Sequence, residues 1–195
     1  MDLWKDYQTA RASEDFGHQR LYLRSRERIH ASLSEVGPYG TILELNNCVF
    51  ASYGEGTRYV LARDITYDLL VSIYDVNSSS ALLFRATFPL NKKAFSEVRN
   101  RLGRFRRPNL EMRLIGMQNE DTVVLDSIDG LRRLAKSALQ EVDLFGRSTR
   151  HVAFDLKVGM PLDLLTQNRI FRSDELLNGL SLEGFGRQRS ELAFV

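Results

Sequence analysis

The spacing of apolar and polar residues changes character along this chain. From His18 to Val36 the apolar residues Leu21, Tyr22, Ile29, Leu33 and Val36 fall on one helical face, with Arg and Glu between them. That predicts an early helix, ended by Gly37-Pro38. The first sixteen residues carry no such pattern and read as a loose arm. After Tyr39 the spacing turns strand-like. "GTILELNNCVFASYG", "RYVLARD", "LLVSIYDV" and "ALLFRATFP" are rich in β-branched and aromatic residues and are parted by Gly, Asn or Ser. A helix follows at about Asn91 to Leu102, with Asn91 as its cap and Ala94, Phe95, Val98 and Leu102 as its stripe. "GRFRRPN" breaks it.

"LEMRLIGM" and "TVVLD" then read as strands. A second helix is expected from about Ser127 to Leu139, capped by Asp126 or Ser127 and faced by Ile128, Leu131, Leu134, Ala135 and Ala138. "EVDLF", "HVAFDLKVG" and "LDLL" read as late strands, and the tail from Asn168 as a short helix followed by a loop or edge strand. Strands come in groups with few helices between them. This predicts an α+β fold with antiparallel pairing rather than a βαβ ladder. Three segments are expected: an arm and helix over 1–38, a main domain over 39–165 and an extension over 166–195.

Composition narrows the function classes. The chain has 195 residues, 43% of them apolar and 27% charged, with a net charge of +2. That charge is too small to argue for bulk nucleic-acid binding, and no nucleic-acid partner is expected. The lone cysteine, Cys48, allows no internal disulfide, and there is no Cys/His set for structural zinc, so no metal or cofactor is expected. The N-terminus lacks the apolar core of a signal peptide, and no apolar run is long enough to span a bilayer. A cytoplasmic protein without a membrane span is the expectation.

Chemistry-bearing motifs are scarce. There is no phosphate loop, no G-x-G-x-x-G, no nucleophile elbow and no H-E-x-x-H. Cys48 lies in the apolar context "LNNCVFA", where a free cysteine reads as a small buried hydrophobe. As a nucleophile it would need a base, and His151 is the candidate. The run "RNRLGRFRRPN" carries Arg99, Arg101, Arg104, Arg106 and Arg107. It reads either as a solvated helix end or as an anion site for a nucleotide or phosphate. Asp68 and Arg85 are charges inside segments that otherwise read as buried strands.

The stretch "DITYDLLVSIYDVNSSSALLFRATFP" resembles a block of the CheD-type chemoreceptor glutamine deamidases, "T-L-G-L-G-S-C-V-A-V-x-L-Y-D-P … G-G-M-A-H-x-M-L-P". Without a gap, "V-x-L-Y-D" falls on Val71-Ser72-Ile73-Tyr74-Asp75 and "M-L-P" on Thr87-Phe88-Pro89. A second family block, "D-L-G-G-x-x-G-R-x-V-x-F-D-x-x-T-G", is similar to "DLFGRSTRHVAFDLKVG". Asp143, Leu144, Gly146, Arg150, Val152, Phe154, Asp155 and Gly159 fall in place there. Between the blocks, "LEMRLIGM" is similar to a family strand and keeps Gly116. The resemblance runs from about Tyr39 to Leu165.

The resemblance implies a β-sandwich core with helices packed outside. It also implies bacterial chemotaxis or motility signalling, with a chemoreceptor, a CheC-type phosphatase or another signalling protein as partner. In the family a cysteine thiolate attacks a glutamine side chain, a histidine activates it and a threonine completes the site. In the same register those positions hold Asp68, Arg85 and Ala62. The family's glycine-bearing "G-L-G-S" turn is Asp64-Ile65-Thr66-Tyr67 here. Arginine keeps its proton and is no general base. The expectation is therefore a catalytically inactive, binding form of the fold. Asp68 and Arg85 read as an ion pair, as unrelated surface charges or, through Asp68, as a cation ligand. An active deamidase using Cys48 with His151 is the alternative.

Overall fold

The most apolar alternating stretches become the central strands. In the computed structural model, residues 3–12, 21–24, 26, 29–54, 56–87, 90, 92–105, 109–116, 122–145 and 149–165 are described, with backbone alone for 122–125 and 165. In chain order the elements are α1 (Leu3–Arg11), β1 (Leu21–Arg24), β2 (Ile29–Ser32), α2 (Leu33–Val36), β3 (Gly40–Ile42), β4 (Asn47–Ser52), β5 (Tyr59–Ile65), β6 (Leu69–Asp75) and β7 (Ser80–Ala86). Then come α3 (Lys92–Leu102), β8 (Leu110–Gly116), α4 (Thr122–Ala135), β9 (Ala138–Leu144), β10 (Arg150–Asp155) and β11 (Met160–Leu165). The fold is α+β.

The strands form a six-stranded sheet, β1-β9-β8-β6-β7-β4, and a five-stranded sheet, β2-β11-β10-β5-β3. Strand periodicity sorts their side chains into layers. One face of the larger sheet, including Val71, Ile73, Phe84, Met112 and Leu114, packs with Val98 of α3 and Ile128 and Leu131 of α4. Its other face, with Leu70, Tyr74, Leu83 and Ile115, shares a core with Val60, Ala62, Val152 and Phe154 of the smaller sheet. The outer face of the smaller sheet packs Leu61, Ala153 and Leu162 with Val36 of α2. The two sheets are thus face to face, with the longer helices outside one of them.

Several expectations need correction. The segment read as a helix over His18–Val36 holds two strands, β1 and β2, before the single turn of α2. β1 pairs antiparallel with β9 and β2 pairs parallel with β11, so this segment supplies one edge strand to each sheet. His30 lies on β2, while His18 is outside the described residues. Within the segment read as a loose arm, α1 buries Leu3 and Tyr7. Trp4 stacks on Tyr7 at 5.3 Å between ring centroids, and Arg11 bonds to Asp126 and Asp129 of α4.

"GTILELNNCVFASYG" splits into β3 and β4, which join different sheets. "TVVLD" is helical, the first part of α4, and Ser127 is a buried residue within that helix rather than its cap. Pairing is not purely antiparallel: β8 and β9 run parallel and are joined through α4, a βαβ crossover. The proposed cap Asn91 and the tail from residue 166 lie outside the described residues.

Candidate functional site

Two of the connections that carry the chain from one sheet to the other meet at one end of the sandwich. The first, Thr66–Asp68, leads from β5 to β6, and the second leads from β9 to β10. Asp68 and Arg85 stand at the first. Arg85 faces the inter-sheet core, opposite Leu70 in the β6–β7 register. Its Nε and Nη2 both donate to the Asp68 carboxylate, Nη2 to Oδ1 at 3.3 Å. The two residues are only 8% and 5% exposed, so this is a buried, two-pronged ion pair.

The pair holds the connection rather than facing an open space. Arg85 Nη2 also donates to the Asp64 carbonyl at 2.9 Å, and Asp68 Oδ1 accepts the Thr66 N–H at 3.1 Å. Asp64 sits at φ +55°, in the left-handed region that Asp tolerates better than most residues. Its N–H donates to His151 Nδ1 at 3.3 Å, which ties the same turn to β10. Gly116, at φ +137°, closes the far side: a Cβ there would stand 2.2 Å from the Asp68 carbonyl oxygen. That close approach of two backbones is what requires glycine.

The second connection repeats the device. Asp143, fully buried at the end of β9, pairs with Arg150 of β10 at 3.1 Å, and Arg150 also donates to the Asp143 carbonyl. Thr66 and Thr149 hydroxyls lie 3.4 Å apart and link the two connections. Sequence reading singled out Asp143 and Arg150 only as matches to a family block. In both places a buried acid beside a chain crossover is paired with a buried arginine, which follows the crossover in one case and lies on β7 in the other.

The remaining candidates are dispersed. Ala62 points into the inter-sheet core and pairs with Val152 across the β5–β10 ladder. Cys48 is opposite Phe84 on β4, on the helix side of the larger sheet. Burial pushes its thiol up to about 12, with the Arg101 charge opposing. His151 belongs to the smaller sheet and bonds to Asp64, so Cys48 and His151 occupy different layers. Burial, aided by the Arg63 and Arg85 charges, lowers the His151 pKa below 6.5, and Asp64 opposes this.

The arginine run does not act as one patch. Arg101 is buried and donates to Glu97 at 2.6 Å, one helical turn away. Arg99 is exposed on α3, and Arg104 lies over the Phe50 ring at 5.6 Å. Arg106 and Arg107 are outside the described residues. Among the described residues, no cluster of three or more His, Cys, Asp and Glu side chains is placed to hold a metal ion. No helix among them is long and apolar enough to cross a membrane.

Chemically, the Asp68–Arg85 end can fix a loop and present its tip. Tyr67, at that tip, is 65% exposed, and the Asp64 carboxylate beside it is largely in solvent. No family model and no curated protein matches this chain.

Proposed function

We propose that this chain is a catalytically silent, CheD-like binding module that acts in bacterial chemotaxis or motility signalling. The observation that carries this reading is the Asp68–Arg85 pair. In the CheD register these are the nucleophile and base positions, and here they form a buried ion pair whose hydrogen bonds go to the Thr66–Asp68 connection. Asp68 accepts from Arg85 and from the Thr66 amide, and Arg85 is committed to Asp68 and to the Asp64 carbonyl. Neither partner is left to attack an amide or to move a proton at neutral pH.

What the connection offers instead is a surface. Tyr67 and the Asp64 carboxylate project from a turn pinned to both sheets, which gives a rigid aromatic anchor beside a negative charge. Tyrosine at such a position is a frequent source of interface energy. The partners that fit are those the resemblance implies: a chemoreceptor helical hairpin, a CheC-type phosphatase or another signalling protein. The alternative, a deamidase built on Cys48 and His151, is disfavoured by the buried thiol and by the separation of the two residues into different layers.

Calorimetry with a purified receptor hairpin fragment and with a CheC-type phosphatase tests the reading. Binding to one of them is expected, with Tyr67→Ala weakening it by about tenfold or more. Absence of binding to both removes these partners, and binding that ignores Tyr67 and Asp64 moves the surface elsewhere.

A further inference from the structure

At the opposite end of β6 from Asp68, seven residues or about 20 Å along the strand, lies a cleft of about 590 Å³. Its size is in the range of small-molecule sites. One wall is aromatic. Phe50 of β4 and Phe105, just beyond α3, meet at 5.1 Å between ring centroids, tilted by 51°. Arg104 lies over Phe50, held there by the turn in which its N–H bonds to the Arg101 carbonyl at 3.0 Å. Arg104 is the member of the described arginine run that lines this cleft.

The other wall is a ladder of hydroxyls bonded to one another and to their own turn. Ser78 Oγ donates to Asp75 Oδ2 at 2.7 Å, and Ser80 Oγ donates to the Ser78 carbonyl at 3.3 Å. The Ser52 and Ser80 hydroxyls lie 2.8 Å apart, and either can be the donor. The buried Asp75 carboxylate accepts from the Asn77 and Asn109 amides as well. The hydroxyl oxygens of this wall can accept hydrogen bonds, whereas the Arg104 side presents N–H donors and a positive charge. A ligand that satisfies both needs a flat ring with N–H groups on one edge and an anionic group on the other side.

We propose that this cleft binds a nucleotide, with the base laid on the Phe50–Phe105 wall, its N–H edge toward Ser52 and Ser78, and a phosphate on Arg104. Guanidinium and phosphate match as charge-assisted donors and acceptors, and a base stacks on an aromatic face without needing a particular sequence of contacts. The proposal is independent of the CheD-like reading, because the cleft and the Asp68–Arg85 end share no residue.

Calorimetry on the full chain with guanosine and adenosine 5′-monophosphates, the corresponding nucleosides and inorganic phosphate tests it. A monophosphate is expected to bind more tightly than either its nucleoside or phosphate. Arg104→Gln should weaken the monophosphate by about tenfold or more while sparing the nucleoside. Phe50→Leu should weaken both, and Arg99→Gln should change neither. Thermal melting of each variant shows that it is folded, and Arg104, being exposed, is not expected to matter for that. No heat from any monophosphate, or binding that Arg104→Gln leaves unchanged, overturns the proposal.

Discussion

Arg85 and Asp68 form a two-pronged ion pair buried at the rim of the inter-sheet core, and both residues bond to the connection that joins the two sheets. Removing one partner leaves the other charged and out of water. Asp68→Ala should therefore cost ~3–5 kcal/mol of stability. An Asp68→Ala/Arg85→Met double variant should recover much of that loss, because it leaves no uncompensated charge. Urea denaturation of the two single variants and the double variant measures the coupling. Near-additive losses, or a cost for Asp68→Ala within the noise of a surface substitution, would mean that the pair does not hold the connection.

Gly116 tests the same connection from the other side. An alanine there meets the Asp68 carbonyl and must keep a φ of +137°. Backbone strain alone costs ~1–3 kcal/mol, and the collision adds to it. Gly116→Ala should destabilise the protein and loosen the Thr66–Asp68 amides in hydrogen exchange. An unchanged denaturation midpoint would show that β8 and the connection are not in contact in solution.

His151 sets a pH dependence with a definite sign. Its folded pKa lies below the 6.5 of a free histidine, chiefly through burial. The folded protein then binds fewer protons than the unfolded chain, so this contribution is fully present above about pH 6.5 and is lost as pH falls through the window below it. Protonation also ends the ability of Nδ1 to accept the Asp64 N–H, although the Asp64 carboxylate at 3.9 Å offers partial compensation. The wild type should lose stability between pH 7 and pH 5 more steeply than His151→Gln. A histidine titration by NMR with a midpoint above 6.5 would reverse the expected sign.

The N-terminal helix is part of the packed structure. Tyr7 is fully buried, and α1 lies against β1 and β9 while Arg11 reaches Asp126 and Asp129. Tyr7→Ala should cost ~3–5 kcal/mol, as for other large aromatic side chains. Thermal melting checks this, and an unaffected melting temperature would return α1 to the status of a loose arm.

The parts of the fold that were legible in the sequence are those where local pattern and burial agree. β6, β7 and β8 are long, apolar and central, and α3 has a clean apolar stripe, so each was readable alone. β1 and β2 are edge strands of four residues, half-buried or exposed, and too short to show alternation. Their scattered apolar residues fit a helix as well as a strand, and only their partners β9 and β11 decide. In α4 the β-branched Val123 and Val124 favour a strand locally, but they open a helix whose later face, with Ile128 and Leu131, packs on the larger sheet.

The site was legible to the same degree. Asp68 and Arg85 stood out as charges in apolar strands, and their pairing was one of the open readings. The Asp143–Arg150 pair, across the two sheets, and the Asp64–His151 contact, between neighbouring strands of the smaller sheet, join residues that are 7 and 87 positions apart, and no spacing rule marks them. The left-handed conformation of Asp64 is likewise invisible in a residue type that tolerates it without requiring it.

The central claim is that the CheD-like register carries binding without deamidation. Mass spectrometry of chemoreceptor fragments incubated with the purified protein tests it most directly. The account predicts that the fragments keep every glutamine, with wild type and Cys48→Ala indistinguishable. Conversion of glutamine to glutamate by the wild type, abolished in Cys48→Ala, would contradict it.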